Sequence, residues 1–187
     1  MKEKHGAAIL GYGVPPDIFK DGNYNRYLEN AWLAINLSQC EELLLSGGHT
    51  NIHYPEKSEA EEMHKYLMTI PGFRESGIIV FKNEDSITSW ENIKWIDCMI
   101  RENSLTHITI HGEFSRRRKV RLLCRRILSR QVKATVNVID FDRSRTIFSD
   151  LKQMIDFFAT LLQFMFPKIR DLRHWRQMRH IKKVSQP

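Results

Sequence analysis

Residues 7–13 have the sequence AAILGYG, an apolar run that ends in a Gly-x-Gly turn, and a helical pattern of apolar residues follows between Asn25 and Leu37. An apolar strand that ends at glycine and leads into a helix is typical of the first unit of a parallel α/β domain. Domains of this kind usually bind their ligand at that turn. The stretch therefore predicts a fold class and the location of a site, and it leaves the reaction open.

Strand and helix patterns alternate along the rest of the chain. The segments with a strand pattern are Ala7–Leu10, Leu43–Leu45, Ile78–Phe81, Ile108–Ile110 and Val132–Ile139. The segments with a helical pattern are Asn25–Leu37, a helix that starts after Ser58, Thr88–Arg101, a helix from about Ser115 to Ser129, and a long region that begins near Ile147. Helical segments between strands favour right-handed crossovers. We therefore predict a three-layer α/β/α sandwich with a mainly parallel, Rossmann-like sheet of about five strands.

We expect one ordinary hydrophobic core, because the chain has 187 residues, of which 42% are hydrophobic and 27% charged. Residues 1–146 are predicted to form the Rossmann-like domain. Residues 147–187 are predicted to form a C-terminal helical extension with a basic tail, packed on that domain. The cysteines, Cys40, Cys98 and Cys124, are odd in number and widely spaced, which favours a reduced protein. Since no apolar segment of signal-peptide length follows the N-terminus, we expect a cytoplasmic protein.

The formal charge of +7 and the pI near 9.4 predict an anionic partner. Residues 157–166 are nearly all apolar, and a segment rich in lysine and arginine follows them. The apolar run is too short for a membrane span, which needs about 20 residues. Three interpretations stay open: a buried helix that covers the last strand and carries a solvated basic tail, an interfacial membrane anchor, or an oligomer contact. Nucleic acid is not expected, because the cations lack the regularly spaced aromatic residues of a stacking platform.

Four polar turns are predicted to meet at one edge of the sheet, because the carboxyl ends of parallel strands lie together. These turns are Gly11–Pro16, Ser46–Tyr54, Asn83–Ser89 and His111–Arg118. The Gly-x-Gly turn lacks the third glycine of a dinucleotide fingerprint, so we interpret it as one wall of a composite pocket. The Ser-Gly-Gly turn is either a plain turn or a place where backbone amides approach a phosphate or carboxylate.

The candidate site residues come from these turns and from the starts of the helices. The candidate ligand-binding residues are Gly11, Gly13, Arg26, Ser46, Gly47, Gly48, Ser58, Ser86, Ser89, Asn92, Arg116 and Arg118. The candidate acid-base residues, chosen because they are titratable groups within reach of this edge, are Glu59, Glu91, Glu113 and His111. Two pairs, Ser58 with Glu61 and Thr88 with Glu91, also have the spacing of a helix capping box. No metal site is expected, because His49 and His53 lie in a loop without an acidic or cysteine cluster.

The order of these motifs resembles the SanA/YdcF/ElyC-like family of bacterial domains. The similarity covers residues 7–128 and rests on LGYG (10–13), NRYLENA (25–31), SGG (46–48), PEKSEAEEMHKYL (55–67), EDSITSWEN (84–92) and ITIHGEFSRRR (108–118). The resemblance implies a Rossmann-like domain with a polar pocket, a link to cell-envelope biogenesis and, for one branch, binding of S-adenosylmethionine. Family members often have threonine where this chain has Ser89. They also often have a His-x-x-Arg motif where this chain has Ser115 and Arg118, and His111 lies four residues before that position.

Two arginines at the start of the fourth helix are alternatives for the site. On a helical wheel, Val120 and Leu123 share the face that packs on the sheet, Arg118 lies opposite, and Arg116 lies on the inward side. The wheel therefore favours Arg116, whereas the position of the family motif favours Arg118. Either guanidinium would bind a phosphate or carboxylate through paired hydrogen bonds.

Two functions are predicted. The first is an enzyme or binding protein for a small anionic ligand, phosphorylated, nucleotide-like or similar to S-adenosylmethionine, with a link to cell-envelope metabolism. The alternative is a non-catalytic interaction or membrane-surface protein that acts through its basic C-terminal helix.

Overall fold

The computed structural model describes residues 3–51, 53–140 and 147–166, together with residues 168, 171 and 175. Most cations of the predicted basic tail lie outside these residues. The strands are β1 (His5–Leu10), β2 (Glu42–Ser46), β3 (Ile79–Asn83), β4 (His107–Glu113) and β5 (Lys133–Ile139). The α-helices are α1 (Gly22–Leu37), α2 (Glu59–Leu67), α3 (Ser89–Glu102), α4 (Arg117–Ile127) and α5 (Ile147–Met165). Short 3-10 turns lie at Arg74–Ser76 and Phe114–Arg116.

The five strands form one parallel sheet in the order β3-β2-β1-β4-β5, which confirms the predicted Rossmann-like fold class. Residues 7–10 of β1 and all five residues of β2 are buried, because helices cover both faces of the sheet there. The strand order reverses beside β1, which pairs with β2 on one side and β4 on the other. Open α/β sheets bind ligands in the crevice where the strand order reverses, and in this sheet that crevice lies between the ends of β1 and β4.

The helices of the two outer layers pack on alternate residues of the strands. On one face, Ala7 and Ile9 of β1 join α1 and α2 in a core cluster. On the other face, Ala8 and Leu10 join α3 and α4. Because successive side chains of a strand point to opposite faces, the side chains of β4 also alternate between these two helix layers.

Polar side chains set where three of the helices begin. Asp21 accepts hydrogen bonds from the N–H groups of Asn23 and Tyr24, so α1 starts earlier than the predicted Asn25. Thr88 caps α3 in the full reciprocal capping box that was predicted. Ser58 caps α2 through the Glu61 N–H, at 3.1 Å. The carboxylate of Glu61, however, forms an ion pair with Lys82 of β3.

The structure corrects two predicted boundaries at the carboxyl edge. β4 continues to Glu113 instead of ending at Ile110, because its ladder with β5 extends to the pairs Gly112–Val138 and Glu113–Ile139. The predicted fourth helix begins as the 3-10 turn, and regular α-helix starts only at Arg117. Neither the longer strand nor the 3-10 turn was predicted, because the polar residues after Ile110 have the composition of a loop.

The last helix is only partly buried, which differs from the first of the three interpretations of this segment, a buried helix that covers the last strand. α5 packs beside α4 and the 3-10 turn at Phe114–Arg116, with Phe164 against Trp90 at 4.7 Å between ring centroids. Lys119 of α4 forms an ion pair with Asp156 of α5 at 2.7 Å. Many apolar side chains of α5 are exposed. No helix among the described residues is long and apolar enough to cross a membrane.

Candidate functional site

A cavity of about 810 Å³ opens at the carboxyl edge of the sheet. Its walls come from the turns after β1 and β2, the first turn of α3, the start of α4 and one face of α5. Cavities of this size accept cofactor-sized ligands. The predicted site residues that line it are Gly11, Gly13, Gly47, Glu59, Ser86, Ser89, Glu91, Asn92 and Arg116.

Glu59, the first residue of α2, lies at the floor of the cavity and is 3% exposed. Its Oε1 accepts a hydrogen bond from the Tyr24 hydroxyl at 2.6 Å and another from the N–H of Gly13. Burial raises the pKa of Glu59, while these donors and the nearby Arg116 guanidinium oppose that change. Burial and the Glu59 carboxylate together raise the pKa of Tyr24 well above its ordinary value. The carboxyl group is therefore held in one position, facing the cavity.

The glycines of the two turns make room for this carboxyl group. A Cβ added at Gly11 would overlap the Glu59 carboxylate, and one at Gly47 would lie 2.8 Å from Glu59 Oε2. A Cβ at Gly48 would overlap the backbone carbonyl of Glu84. Glu59 fills the space beside Gly11 and Gly47, and the turn after β3 fills the space beside Gly48. These contacts explain why the three positions have no side chain.

The backbone amides of the Ser-Gly-Gly turn already have partners inside the protein. The Gly47 N–H donates to the carbonyl of Asn83 at 3.1 Å, and the Gly48 N–H donates to the carbonyl of Ser86 at 2.8 Å. Of the two interpretations of this turn, these hydrogen bonds to the end of β3 and the turn after it favour the plain turn. We therefore expect anion-binding donors among the side chains of the other walls.

Arg116 supplies such a donor at the crevice between β1 and β4. Its guanidinium donates to the carbonyl of Tyr12 at 3.1 Å and to that of Gly11 at 3.4 Å, and it lies 5.8 Å from the centre of the Tyr12 ring. The 3-10 turn before α4 places Arg116 on the inward side. Arg118 is exposed and borders a separate groove beside Met154 of α5. Of the two alternatives, the structure brings Arg116 to the cavity.

The first turn of α3 forms the opposite wall. The Glu91 carboxylate accepts the N–H groups of Ile87 and Thr88, each at 2.9 Å, so it completes the helix cap as well as lining the cavity. Asn92 follows in the same turn, and its buried Oδ1 has no hydrogen-bond partner among the described residues. Buried amide oxygens are rarely left without a donor, so this atom is a candidate acceptor for a ligand.

Two of the four acid-base candidates lie away from the cavity. His111 is 1% exposed and faces the α1 layer, as its register partner Ile9 does, with its Nδ1 3.2 Å from Asn137 Nδ2. Burial lowers the pKa of His111 to about 4, so the ring is neutral at physiological pH. Glu113 accepts hydrogen bonds from the N–H and hydroxyl of Ser115 and caps the 3-10 turn. Neither residue is among the described ones that line the cavity.

The remaining predicted residues support the turns or lie elsewhere. Ser46 is fully buried and interacts with Asn83 at 3.4 Å, and Ser58 caps α2. Arg26 is half-buried on α1, outside the cavity lining. Ser46 and Ser58 thus support neighbouring structure, and none of these three residues lines the cavity.

Sequence reasoning missed the whole contribution of α5. Lys152, Asp156, Thr160 and Gln163 project from one face of this helix into the cavity wall. Their spacing of four, four and three residues within an apolar segment marks one helical face, and this signal was available in the sequence. Lys94 of α3 and Lys152 of α5 add exposed ammonium groups at the rim.

One group of potential metal ligands is present among the described residues, at the opposite edge of the sheet. Glu3, His5 and His107 each offer a ligand atom within 4.8 Å of the others. The rings of His5 and His107 stack with their centroids 4.5 Å apart, because these residues start the paired strands β1 and β4. This cluster is distant from the cavity, which lies at the carboxyl ends of those strands.

Comparison of the chain with profiles of known families, with characterised proteins and with solved structures gave no significant match. The resemblance to the SanA/YdcF/ElyC-like family therefore rests on the sequence motifs and stays a prediction. The fold and the geometry of the cavity are the observations on which a function can be proposed.

Proposed function

We propose that this chain binds a small anionic ligand in the cavity at the carboxyl edge of the sheet. The ligand classes that suit the cavity are phosphorylated and nucleotide-like molecules and S-adenosylmethionine. Each of these carries a phosphate or carboxylate that a guanidinium can bind, and each fits within about 810 Å³.

The observation that carries the proposal is the position of Arg116. Its guanidinium is anchored on the carbonyls of Gly11 and Tyr12 at the topological switch point, and the anchoring leaves other N–H donors of the group for a ligand. A pre-positioned cation binds an anion with little further loss of side-chain entropy.

The opposite wall supports the same ligand chemistry. Asn92 Oδ1 can accept a hydrogen bond from a hydroxyl or amino group of the ligand, while Lys94 and Lys152 add positive charge at the rim. S-adenosylmethionine would place its carboxylate against these cations and its amino group against an acceptor such as Asn92.

If the protein is an enzyme, Glu59 is the residue best placed to move a proton. Its carboxyl group faces the cavity, and its raised pKa lets it hold a proton closer to neutral pH than an exposed glutamate would. A role in cell-envelope metabolism follows from the family resemblance and is part of the same proposal.

A binding screen tests the proposal with inorganic phosphate, a nucleoside monophosphate, a sugar phosphate and S-adenosylmethionine. We expect at least one probe to raise the melting temperature and to bind measurably in calorimetry. Replacement of Arg116 by alanine should weaken that binding by about tenfold or more, because the charge-assisted contact to the anion is lost.

Arg118→Ala is the matched control for Arg116→Ala, since it removes one arginine from the same helix start but outside the cavity. This variant should bind the probe like the unmodified protein. Binding that weakens equally in Arg118→Ala and in Arg116→Ala would refute the proposal. A screen in which none of the four probes binds would refute it as well.

A further inference from the structure

Helix α5 buries two polar side chains while it exposes a row of apolar ones. Thr160 and Gln163 are 1% and 7% exposed. Leu151, Met154, Ile155, Phe158, Leu162 and Met165 are instead between 44% and 69% exposed, and we call these six residues the apolar stripe. A helix on the surface of a soluble domain normally buries its apolar face.

The apolar stripe is one continuous surface. At 3.6 residues per turn, all six side chains fall within a sector of about 100°, over a length of about 21 Å. The polar residues that line the cavity lie on a separate sector of the same helix. Contiguous exposed apolar surfaces of this kind indicate an interaction site.

Arginines of α4 flank the apolar stripe near both ends. Arg117 and Arg118 border a groove with Met154 and Phe157, near the start of α5. Near its end, the guanidinium of Arg126 lies 5.9 Å from the centre of the Phe164 ring. Arg118, Arg121, Arg125 and Arg126 are exposed on α4. The sequence from residue 168 to residue 183 adds seven lysines and arginines and one aspartate.

We propose that the apolar stripe and these arginines form a peripheral binding surface for an anionic phospholipid membrane. An interfacial helix inserts its apolar face at the level of the headgroups, while adjacent cations interact with lipid phosphates. No described helix could span the bilayer, so binding would take place at the surface.

The positive charge favours a membrane over a second copy of this chain as the occupant. Two copies that pack through the stripe would bring their α4 arginines together, and the chain carries a formal charge of +7. Like charges at an interface oppose association, whereas an anionic bilayer complements them. The proposal does not depend on the cavity binding any ligand.

Co-sedimentation of the full chain with vesicles tests this surface. We would compare vesicles of phosphatidylcholine alone with vesicles that contain about 30% phosphatidylglycerol, at low and at high salt. Binding is expected to the anionic vesicles, with a marked loss at high salt. The variant Phe158→Glu/Leu162→Glu should lower the partition coefficient by about tenfold or more, because two inserted apolar groups become charged.

A matched control places the same charges on another exposed apolar pair. Leu33 and Leu37 of α1 are 58% and 76% exposed, so Leu33→Glu/Leu37→Glu adds equal charge at a distant surface without disturbing the core. We expect this control to bind vesicles far better than the stripe variant, with circular dichroism confirming that both are folded. Equal loss of binding in the two double variants would overturn the proposal, as would a wild-type chain that does not bind anionic vesicles. It would also be overturned by a wild-type dimer that ignores vesicles and becomes monomeric in the stripe variant.

Discussion

Substitution of Gly11 by alanine tests whether Glu59 explains the glycine-rich turn after β1. Gly11 does not have a positive φ angle, so alanine can adopt its backbone conformation. The added methyl group would, however, occupy the space of the Glu59 carboxylate. The carboxyl group would have to move away from Tyr24 and Gly13, which donate hydrogen bonds to it.

The expected cost follows from these contacts. Overpacking of a tight site costs roughly 1–3 kcal/mol, and a buried donor that loses its acceptor costs about 1–3 kcal/mol more. We therefore expect Gly11→Ala to lower the free energy of unfolding by about 2–6 kcal/mol, which is a large part of the 5–15 kcal/mol typical of a domain. Urea denaturation followed by circular dichroism measures this change.

A double-mutant cycle separates contact with Glu59 from any other effect of the methyl group. In a Glu59→Ala background the obstructing carboxylate is gone, and Gly11→Ala should cost less than about 1 kcal/mol. Gly22→Ala is the control, because a Cβ at Gly22 meets no atom within 4 Å and its φ is ordinary. An unchanged cost of Gly11→Ala in the Glu59→Ala background would show that our explanation of this turn is wrong.

Four further substitutions test the site and its surroundings. Burial lowers the pKa of His111 from 6.5 to about 4, so between these pH values the folded state binds fewer protons than the unfolded state. The free energy of unfolding should therefore fall by at most about 3 kcal/mol as the pH drops from 6.5 to 4. The variant His111→Gln should remove this pH dependence in urea titrations. The raised pKa of Glu59 has the opposite effect on stability, because the folded state keeps its proton to a higher pH than the unfolded state does. Stability should therefore fall as the pH rises above 4.5. A Glu59→Gln variant that keeps this pH dependence would contradict the assignment to Glu59. Asn92→Leu should leave the stability of the free protein unchanged or raise it, because an unpartnered buried oxygen is removed. The same variant should abolish the rise in melting temperature that the bound probe produces. If Arg118→Ala also abolishes this rise, the loss does not depend on contact with Asn92. Lys119→Met breaks the partly buried ion pair with Asp156 and should cost about 1 kcal/mol, with faster proteolysis within α5 than in the unmodified protein; equal cleavage rates would mean that the pair does not hold the helix.

The fold class could be predicted because its signals are local. The runs Ala7–Leu10 in β1 and Leu43–Leu45 in β2 are continuously apolar, and Ser58 and Thr88 have hydroxyl groups at the spacing that caps a helix. These patterns depend on residues a few positions apart, so they are visible without knowledge of the packing. Strands in alternation with helices then leave few topologies other than a parallel sheet.

The place of the cavity was predictable, but only some of the residues that line it were. Parallel strands bring their carboxyl ends to one edge, so the turns around Gly11 and Gly47 had to lie near each other. Whether His111 points to that edge depends on the length of β4 and on its register with β5, which hydrogen bonds between distant segments decide. The polar residues after Ile110 looked like a loop, although they continue the strand.

The amino-acid sequence by itself thus determined the order of strands and helices, the helix caps, the positive charge and the edge where the turns meet. Only the tertiary structure decided that Glu59 fills the space beside Gly11, that Arg116 and not Arg118 reaches the cavity, and that α5 forms one of its walls. The physical reason is the sequence separation of the partners. Gly13 and Glu59 are 46 residues apart and Gly11 and Arg116 are 105 apart, so these contacts arise from packing of the layers and leave no periodic signal in the chain.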